Sequence, residues 1–195
     1  MDQDRCTQLS PNHLRRMAVD MESPLTLEPT TYAVTRKLIR EKIARIGVVG
    51  LGYVGLPLAL MFTDGGFVVN GFDIDADKVK KLGERRSYLW NIAPEEISLA
   101  RDRGFHATTE LEQISEMDVI VVCVPTRLTA EREPDLALIR ETAFSIAPYL
   151  HGGQLIVLES ATSPGTTEEV ILPILESANC SHLRVSRDTA QSALT

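Results

Sequence analysis

A short strand that ends in a spaced set of glycines constrains this chain more than any other feature. Residues 46–49 are apolar or small, which is typical of a buried parallel strand, and glycines follow at positions 50, 52 and 55. In such a G-x-G-x-x-G pattern the first glycine permits a tight turn, the second lets a phosphate approach the backbone, and the third lets the next helix pack on the strand. The helix then offers free N–H groups and its positive dipole end to an anion. The stretch predicts a dinucleotide-binding strand, turn and helix.

An acidic residue closes the second predicted strand, Phe67–Asp73. Asp73 lies 18 positions after Gly55, where a carboxylate accepts hydrogen bonds from the adenosine ribose of a dinucleotide. The alternative interpretation is that Asp73 is the N-cap of the next helix, a role that Asp75 supplies equally well. A carboxylate repels a 2′-phosphate, so the pattern favours NAD over NADP. Three nearby lysines weaken this preference: Lys78, Lys80 and Lys81.

Strands alternate with helices along the rest of the chain. Further strands are predicted at 105–108, 117–124 and 154–160, and helices at 32–44, 76–83, 94–103, 136–150 and 163–177. Ser163 and Pro164 are predicted as the N-cap and first residue of the last helix, and Pro173 is expected to kink it. The alternation predicts an α/β fold, a Rossmann-type doubly wound parallel sheet of about five strands with helices on both faces.

The fourth strand ends at Pro125, near the point where a doubly wound sheet reverses direction. The ends of the first and fourth strands form the crevice in which the ligand of such a sheet lies. We therefore expect Pro125–Leu128 to face the cofactor. The alternative is an ordinary strand-ending turn. Residues 127–134 are predicted to be a polar loop.

Charge, cysteine and hydropathy patterns argue against several other classes of protein. The formal charge of −7, without a basic stripe, is unlike that of a nucleic-acid-binding surface. Three cysteines without a C-x-x-C motif are typical of a reducing, cytoplasmic protein, and the four scattered histidines predict no metal site. No apolar run approaches the roughly 18 residues of a membrane span, and the N-terminal residues hold no signal-peptide core.

The pattern divides the chain into three parts. Residues 1–31 are polar and interrupted by prolines, which predicts a poorly ordered extension. Residues 32–177 are predicted to be the dinucleotide-binding domain. Residues 178–195 are predicted to be an irregular tail, in which residues 183–185 would form at most a short strand.

Six segments share their motifs with one known family. They are Gly50–Ala59, Phe72–Lys78, Cys123–Thr126, Glu133–Leu136, Leu158–Ser160 and Pro164–Thr167. Together they resemble the N-terminal NAD-binding domain of the UDP-glucose/GDP-mannose dehydrogenases, over about residues 35–176. The segments at 133–136 and 164–167 are most similar to the UDP-N-acetylglucosamine 6-dehydrogenase branch.

The resemblance implies a reaction, a cofactor and a set of binding residues. Members of the family oxidise C6 of a nucleotide sugar from alcohol to carboxylate with two NAD+, through a cysteine-bound thiohemiacetal and thioester. For this chain it implies a UDP-sugar substrate, with UDP-N-acetylglucosamine favoured, and a role in polysaccharide biosynthesis. By position, the pyrophosphate would be held by Gly50, Leu51, Gly52, Tyr53, Val54 and Gly55, the adenosine ribose by Asp73 and Lys78, and the nicotinamide side by Val124, Pro125 and Thr126.

The chain also departs from the family pattern. Ser160-Ala161 replaces Ser-Thr, so one cofactor-lining hydroxyl is missing although Thr162 is adjacent, and Arg127 stands where many members have proline. The family's catalytic S-P-E glutamate, central-helix lysine and G-G-x-C-x-P nucleophile have no counterpart in these 195 residues. The resemblance therefore implies no catalytic residue here and a C-terminally truncated or frame-shifted sequence that is inactive by itself.

The missing segments leave three hypotheses open. The chain is the NAD-binding half of an enzyme, with a UDP-sugar or a complementing C-terminal chain as partner, or a stand-alone nucleotide-binding or regulatory module, or an inactive gene fragment. Without a sixth strand, residues 155–158 are expected to form an apolar sheet edge, which predicts self-association unless residues 183–185 fold back to pair with that edge.

Overall fold

Five parallel strands form the central sheet of the computed structural model, which describes residues 31–129 and 134–178. The strands within those residues are β1 Arg45–Val49, β2 Val68–Phe72, β3 Phe105–Thr108, β4 Val119–Val122, β5 Arg127–Leu128, β6 Pro134–Asp135 and β7 Leu155–Leu158. The sheet has the order β3-β2-β1-β4-β7, and every neighbouring pair is parallel. The chain therefore reverses its direction of winding between β1 and β4, which confirms the predicted Rossmann-type fold.

Helices cover both faces of this sheet. They are α1 Thr31–Arg40, α2 Gly55–Asp64, α3 Ala76–Gly83, α4 Pro94–Asp102, α5 Ala137–Ile146 and α6 Leu172–Ala178, with 3-10 helices at Leu111–Glu116 and Ala147–Tyr149. Because successive side chains of a strand point to opposite faces, the side chains of the sheet contribute to two separate hydrophobic cores. One core contains Val48, Leu56 and Ile97, and the other contains Ile120 and Ile139. Helix cover on both faces is thus confirmed.

The last helix begins later than the sequence predicted. Ser163 is not its N-cap, because that position is occupied by Thr166. The backbone N–H and the hydroxyl of Thr166 both donate to the Ser163 carbonyl and close a turn before the helix. Gly165 within that turn has a φ of +89°, which a right-handed helix does not admit. A π-helical turn, Thr167–Ile171, lies directly before α6, which contains Pro173. The kink expected at Pro173 stays a prediction.

A second difference is the hairpin that follows β4. Residues 127–134 were predicted to be a polar loop, but β5 and β6 pair antiparallel, with Arg127 opposite Asp135 and Leu128 opposite Pro134. Two-residue strands carry no detectable alternation, so the sequence pattern does not reveal them.

Strand β7 has a strand neighbour on one side only within the described residues. Leu155 is 43% exposed and the rest of the strand is half-buried. The predicted apolar edge stays a prediction, because residues 183–185 lie outside the described residues. The self-association inferred from it stays a prediction. The predicted N-terminal extension up to residue 30 and the tail from residue 179, including residues 183–185, lie outside the described residues.

Neither a membrane-spanning helix nor a metal-ligand cluster is found among the described residues. None of their helices is long and apolar enough to cross a membrane. In the same part of the chain, no three or more His, Cys, Asp or Glu side chains are grouped as metal ligands. The expected cytoplasmic location stays a prediction.

Candidate cofactor site

The loop between β1 and α2 turns so sharply that two of its positions admit only glycine. Gly50 has a φ of +95°, and a Cβ there would lie 2.8 Å from the carbonyl oxygen of Cys123. A Cβ on Gly55 would lie 1.8 Å from the carbonyl oxygen of Gly50. Around the Cβ position of Gly52, in contrast, the described residues leave open space to 4 Å. Two glycines are therefore required by the fold, and the middle one leaves room for a ligand.

Unused N–H groups lie beside that open space. The hydrogen bonds formed within the described residues use none of the backbone N–H groups of Gly52, Tyr53 and Val54. Val54 is the N-cap of α2 and has no side-chain cap, and the side chains of Tyr53 and Val54 are exposed. Free N–H donors at the positive end of a helix suit a pyrophosphate.

Asp73 lies at the end of β2 and holds three donors at once. Its Oδ2 accepts from the N–H of Leu51 at 2.9 Å and from the ammonium of Lys78 at 3.0 Å, and its Oδ1 accepts from the N–H of Asp75 at 3.0 Å. The helix cap is Asp75, which accepts from the N–H groups of Asp77 and Lys78. The interpretation of Asp73 as an N-cap is therefore wrong.

The carboxylate of Asp73 is almost fully engaged. Its side chain is only 6% exposed, and an ionised carboxylate offers about four acceptor positions, of which three are occupied. A ribose diol that binds both oxygens must therefore displace or share one partner. Lys78 is the partner free to move, because its side chain is one-third exposed and the other two donors are backbone groups.

Tyr88 belongs to this cluster, although the sequence analysis did not single it out. Its hydroxyl donates to the carbonyl oxygen of Leu51 at 2.5 Å, and the Lys78 ammonium lies 5.9 Å from the centre of its ring. Burial, and then the charges of Asp73 and Asp75, raises the pKa of Tyr88 well above its ordinary value, so the phenol stays protonated. Tyr88 lies in an irregular loop between α3 and α4, where no periodicity marks it.

The ends of β4 and β7 form the other wall of the crevice. Cys123 and Val124 lie against the turn at Gly50, and the Ser160 hydroxyl donates to the Val124 carbonyl at 2.7 Å. Thr126 has a buried hydroxyl oxygen that finds no hydrogen-bond partner among the described residues. Such orphans are uncommon in folded proteins, and a ligand group is one explanation for this one. Residues 50–55 and 124–126 were both predicted for the cofactor, and the contact of Val124 with the turn at Gly50 brings the two segments together at the carboxyl ends of the strands.

Cys123 is buried in that wall as an inert thiol. Burial, and then the charge of Glu159, raises the pKa of Cys123 to about 11, so the thiol is protonated at neutral pH. A protonated, buried thiol is a poor nucleophile. Cys123 therefore packs in this wall as a small apolar group.

Replacing Thr126 with valine is expected to stabilise the fold and weaken cofactor binding. Exchanging an unpaired buried hydroxyl for a methyl group should raise the free energy of unfolding by about 1 kcal/mol. We expect Thr126 to bind the cofactor through this hydroxyl, so the same change should weaken NAD+ binding about three- to tenfold by calorimetry. Thr142→Val is the matched control, because that hydroxyl already donates to Leu138, 2.7 Å away. Lower stability in T126V than in T142V would contradict the assignment.

Comparison with protein-family models identifies residues 44–192 as a UDP-glucose/GDP-mannose dehydrogenase family NAD binding domain. Two curated relatives are UDP-N-acetyl-D-glucosamine 6-dehydrogenases. The protein of Salmonella typhi is 36% identical over 62% of this chain and 28% of its own length, and that of Pseudomonas aeruginosa is 35% identical over 68% and 30%.

A solved structure agrees with the sequence matches. The crystal structure of NDP-N-acetyl-D-galactosaminuronic acid dehydrogenase from Methanosarcina mazei Go1 superposes with a TM-score of 0.69 at 30% identity, over 84% of this chain and 36% of that one. The chain thus matches about 30% of the length of the two curated relatives.

Proposed function

The chain belongs to the UDP-glucose/GDP-mannose dehydrogenase family and matches its NAD-binding domain, and we propose that it serves an enzyme that oxidises the C6 alcohol of a UDP-sugar to a uronate. The proposed substrate is UDP-N-acetylglucosamine, for which the two curated relatives are named. The observation that carries the cofactor half of this proposal is the open space at Gly52 beside unused N–H groups.

Each part of the proposed site has a distinct task toward NAD+. The N–H groups of residues 52–54 bind the pyrophosphate, supported by the dipole of α2. Asp73 accepts from the adenosine ribose, with Lys78 moving aside as the diol arrives. The hydroxyl of Thr126 meets the cofactor on its nicotinamide side, where Val124 and Pro125 form the wall. NAD+ itself supplies the hydride acceptor.

The chemical step is proposed for an assembled enzyme. In the family to which the resemblance pointed, a glutamate, a lysine and a nucleophilic cysteine carry the oxidation, and Cys123 is unsuited to replace the last because it is buried and protonated. We propose that a C-terminal segment or a complementing chain supplies these groups together with the sugar-binding surface. The chain by itself then binds NAD+ without turning it over.

The test is NADH formation from UDP-N-acetylglucosamine. The chain is assayed alone and with the C-terminal part of the Pseudomonas aeruginosa relative supplied as a second chain, with UDP-glucose and GDP-mannose as alternative substrates. We expect no NADH from the chain alone and NADH from the mixture, fastest with UDP-N-acetylglucosamine. Binding of NAD+ without NADH from a mixture shown to associate would favour a nucleotide-binding module instead.

A further inference from the structure

Two side chains hold the peptide groups on either side of Leu51, the residue between the first two glycines of the loop. Asp73 accepts from the N–H of Leu51, and the hydroxyl of Tyr88 donates to its carbonyl oxygen. The side chain of Leu51 is fully buried and lies so close to Gly71 that a Cβ there would be 2.7 Å from it. The middle of the loop is therefore fixed at three points.

The contact with Tyr88 sets the direction of the next N–H group. The described residues contain no cis peptide bond, so the Leu51–Gly52 peptide is trans and planar. In a trans peptide the C=O and the following N–H point in opposite directions. Because Tyr88 holds the C=O of Leu51, the N–H of Gly52 points away from Tyr88. That N–H is one of the unused donors beside the open space.

We propose that Tyr88 is a positioning residue for the cofactor: by fixing the plane of the Leu51–Gly52 peptide, it aims the N–H of Gly52 at the pyrophosphate. This inference rests on the proposed NAD+ site and extends it, because it gives Tyr88 a part in phosphate recognition and none in ribose recognition. Tyr88 supports the phosphate loop through Leu51, whereas Asp73 supports the loop and binds the ribose. The raised pKa of Tyr88 keeps its donor available in neutral and mildly alkaline solution.

The test compares a ligand that carries the pyrophosphate with one that lacks it. ADP-ribose and adenosine are titrated into the wild-type chain and into Y88F, which loses only the hydroxyl. We expect Y88F to bind ADP-ribose about three- to tenfold more weakly, the effect of one lost hydrogen bond, and to bind adenosine as the wild type does. Tyr149→Phe is the matched control, because its hydroxyl donates to Glu112, 3.2 Å away on another part of the surface.

Equal losses for the two ligands in Y88F would overturn the proposal, because a general loosening of the fold affects both. Unchanged binding of ADP-ribose in Y88F, with binding intact in the wild type, would also overturn it while leaving the NAD+ site standing. Absence of ADP-ribose binding to the folded wild-type chain would overturn the proposed function together with this inference.

A measurement on the wild-type chain covers the case in which Y88F does not fold. In a heteronuclear NMR titration, the backbone amide of Gly52 should shift on addition of ADP-ribose and stay in place with adenosine. A Gly52 amide that is unmoved at saturation with ADP-ribose would overturn the role given to this N–H, and with it the role of Tyr88.

Discussion

Replacing Gly55 with alanine is expected to lower the free energy of unfolding by about 3 kcal/mol or more and to abolish NAD+ binding. The new Cβ would lie 1.8 Å from the carbonyl oxygen of Gly50, which is backbone and has little room to retreat. Gly50 is fixed by its own N–H bond to the carbonyl of Phe72, at 2.8 Å, and by the wall at Cys123. The change is measured by denaturant unfolding followed by circular dichroism.

Gly83→Ala is the matched control for this prediction. Gly83 is the last residue of α3, and a Cβ there meets no atom of the described residues within 4 Å. Alanine is favoured over glycine in a helix by about 0.5–1 kcal/mol, so G83A should be neutral or slightly stabilising and should bind NAD+ normally. Equal stability of G55A and G83A would contradict this prediction, because it would show that the backbone at Gly50 can move aside for a Cβ at position 55.

Replacing Asp73 with alanine is expected to weaken NAD+ binding about ten- to a hundredfold, the equivalent of losing charge-assisted hydrogen bonds worth about 1.5–3 kcal/mol. The variant removes the proposed acceptor for the ribose and also frees the N–H of Leu51 and the ammonium of Lys78. Calorimetric titration of the folded variant measures the loss. Unchanged NAD+ affinity would show that Asp73 serves only the loop.

Asp75→Ala separates the binding role of Asp73 from a general effect of removing a carboxylate. Asp75 caps α3 and is exposed, so its loss should cost about 1 kcal/mol of stability without changing NAD+ affinity. NADP+ gives a further contrast. Asp73→Ala removes the repulsion of a 2′-phosphate and releases Lys78, so the preference for NAD+ over NADP+ should narrow in D73A and persist in D75A.

The local parts of this architecture could be predicted from the sequence. The buried run at residues 46–49 and the spacing of Gly50, Gly52 and Gly55 act over a few residues, so they predict the strand, the turn and the helix. The choice between Asp73 and Asp75 as helix cap could not be made in the same way. Both are carboxylates near the start of α3, and only the fold shows that Asp73 turns back toward Leu51.

The features missed by the sequence analysis depend on contacts between distant residues or on single backbone angles. The hydroxyl of Tyr88 donates to Leu51, which lies 37 positions earlier in the sequence. The loop that contains Tyr88 has no periodic pattern from which this contact could be predicted. The last helix starts late because Gly165 has a left-handed φ. The Ser-Pro pair before Gly165 is typical of a helix start, so the sequence does not predict this backbone angle. The orphan hydroxyl of Thr126 is likewise visible only once the crevice is assembled.

The most direct test of the central claim is a calorimetric titration of this chain with NAD+ and, separately, with NADP+. We expect saturable binding of NAD+ and much weaker binding of NADP+, because the Asp73 carboxylate is proposed to accept from a ribose diol and would repel a 2′-phosphate. Absence of binding to either dinucleotide, in a chain that circular dichroism shows to be folded, would contradict the account.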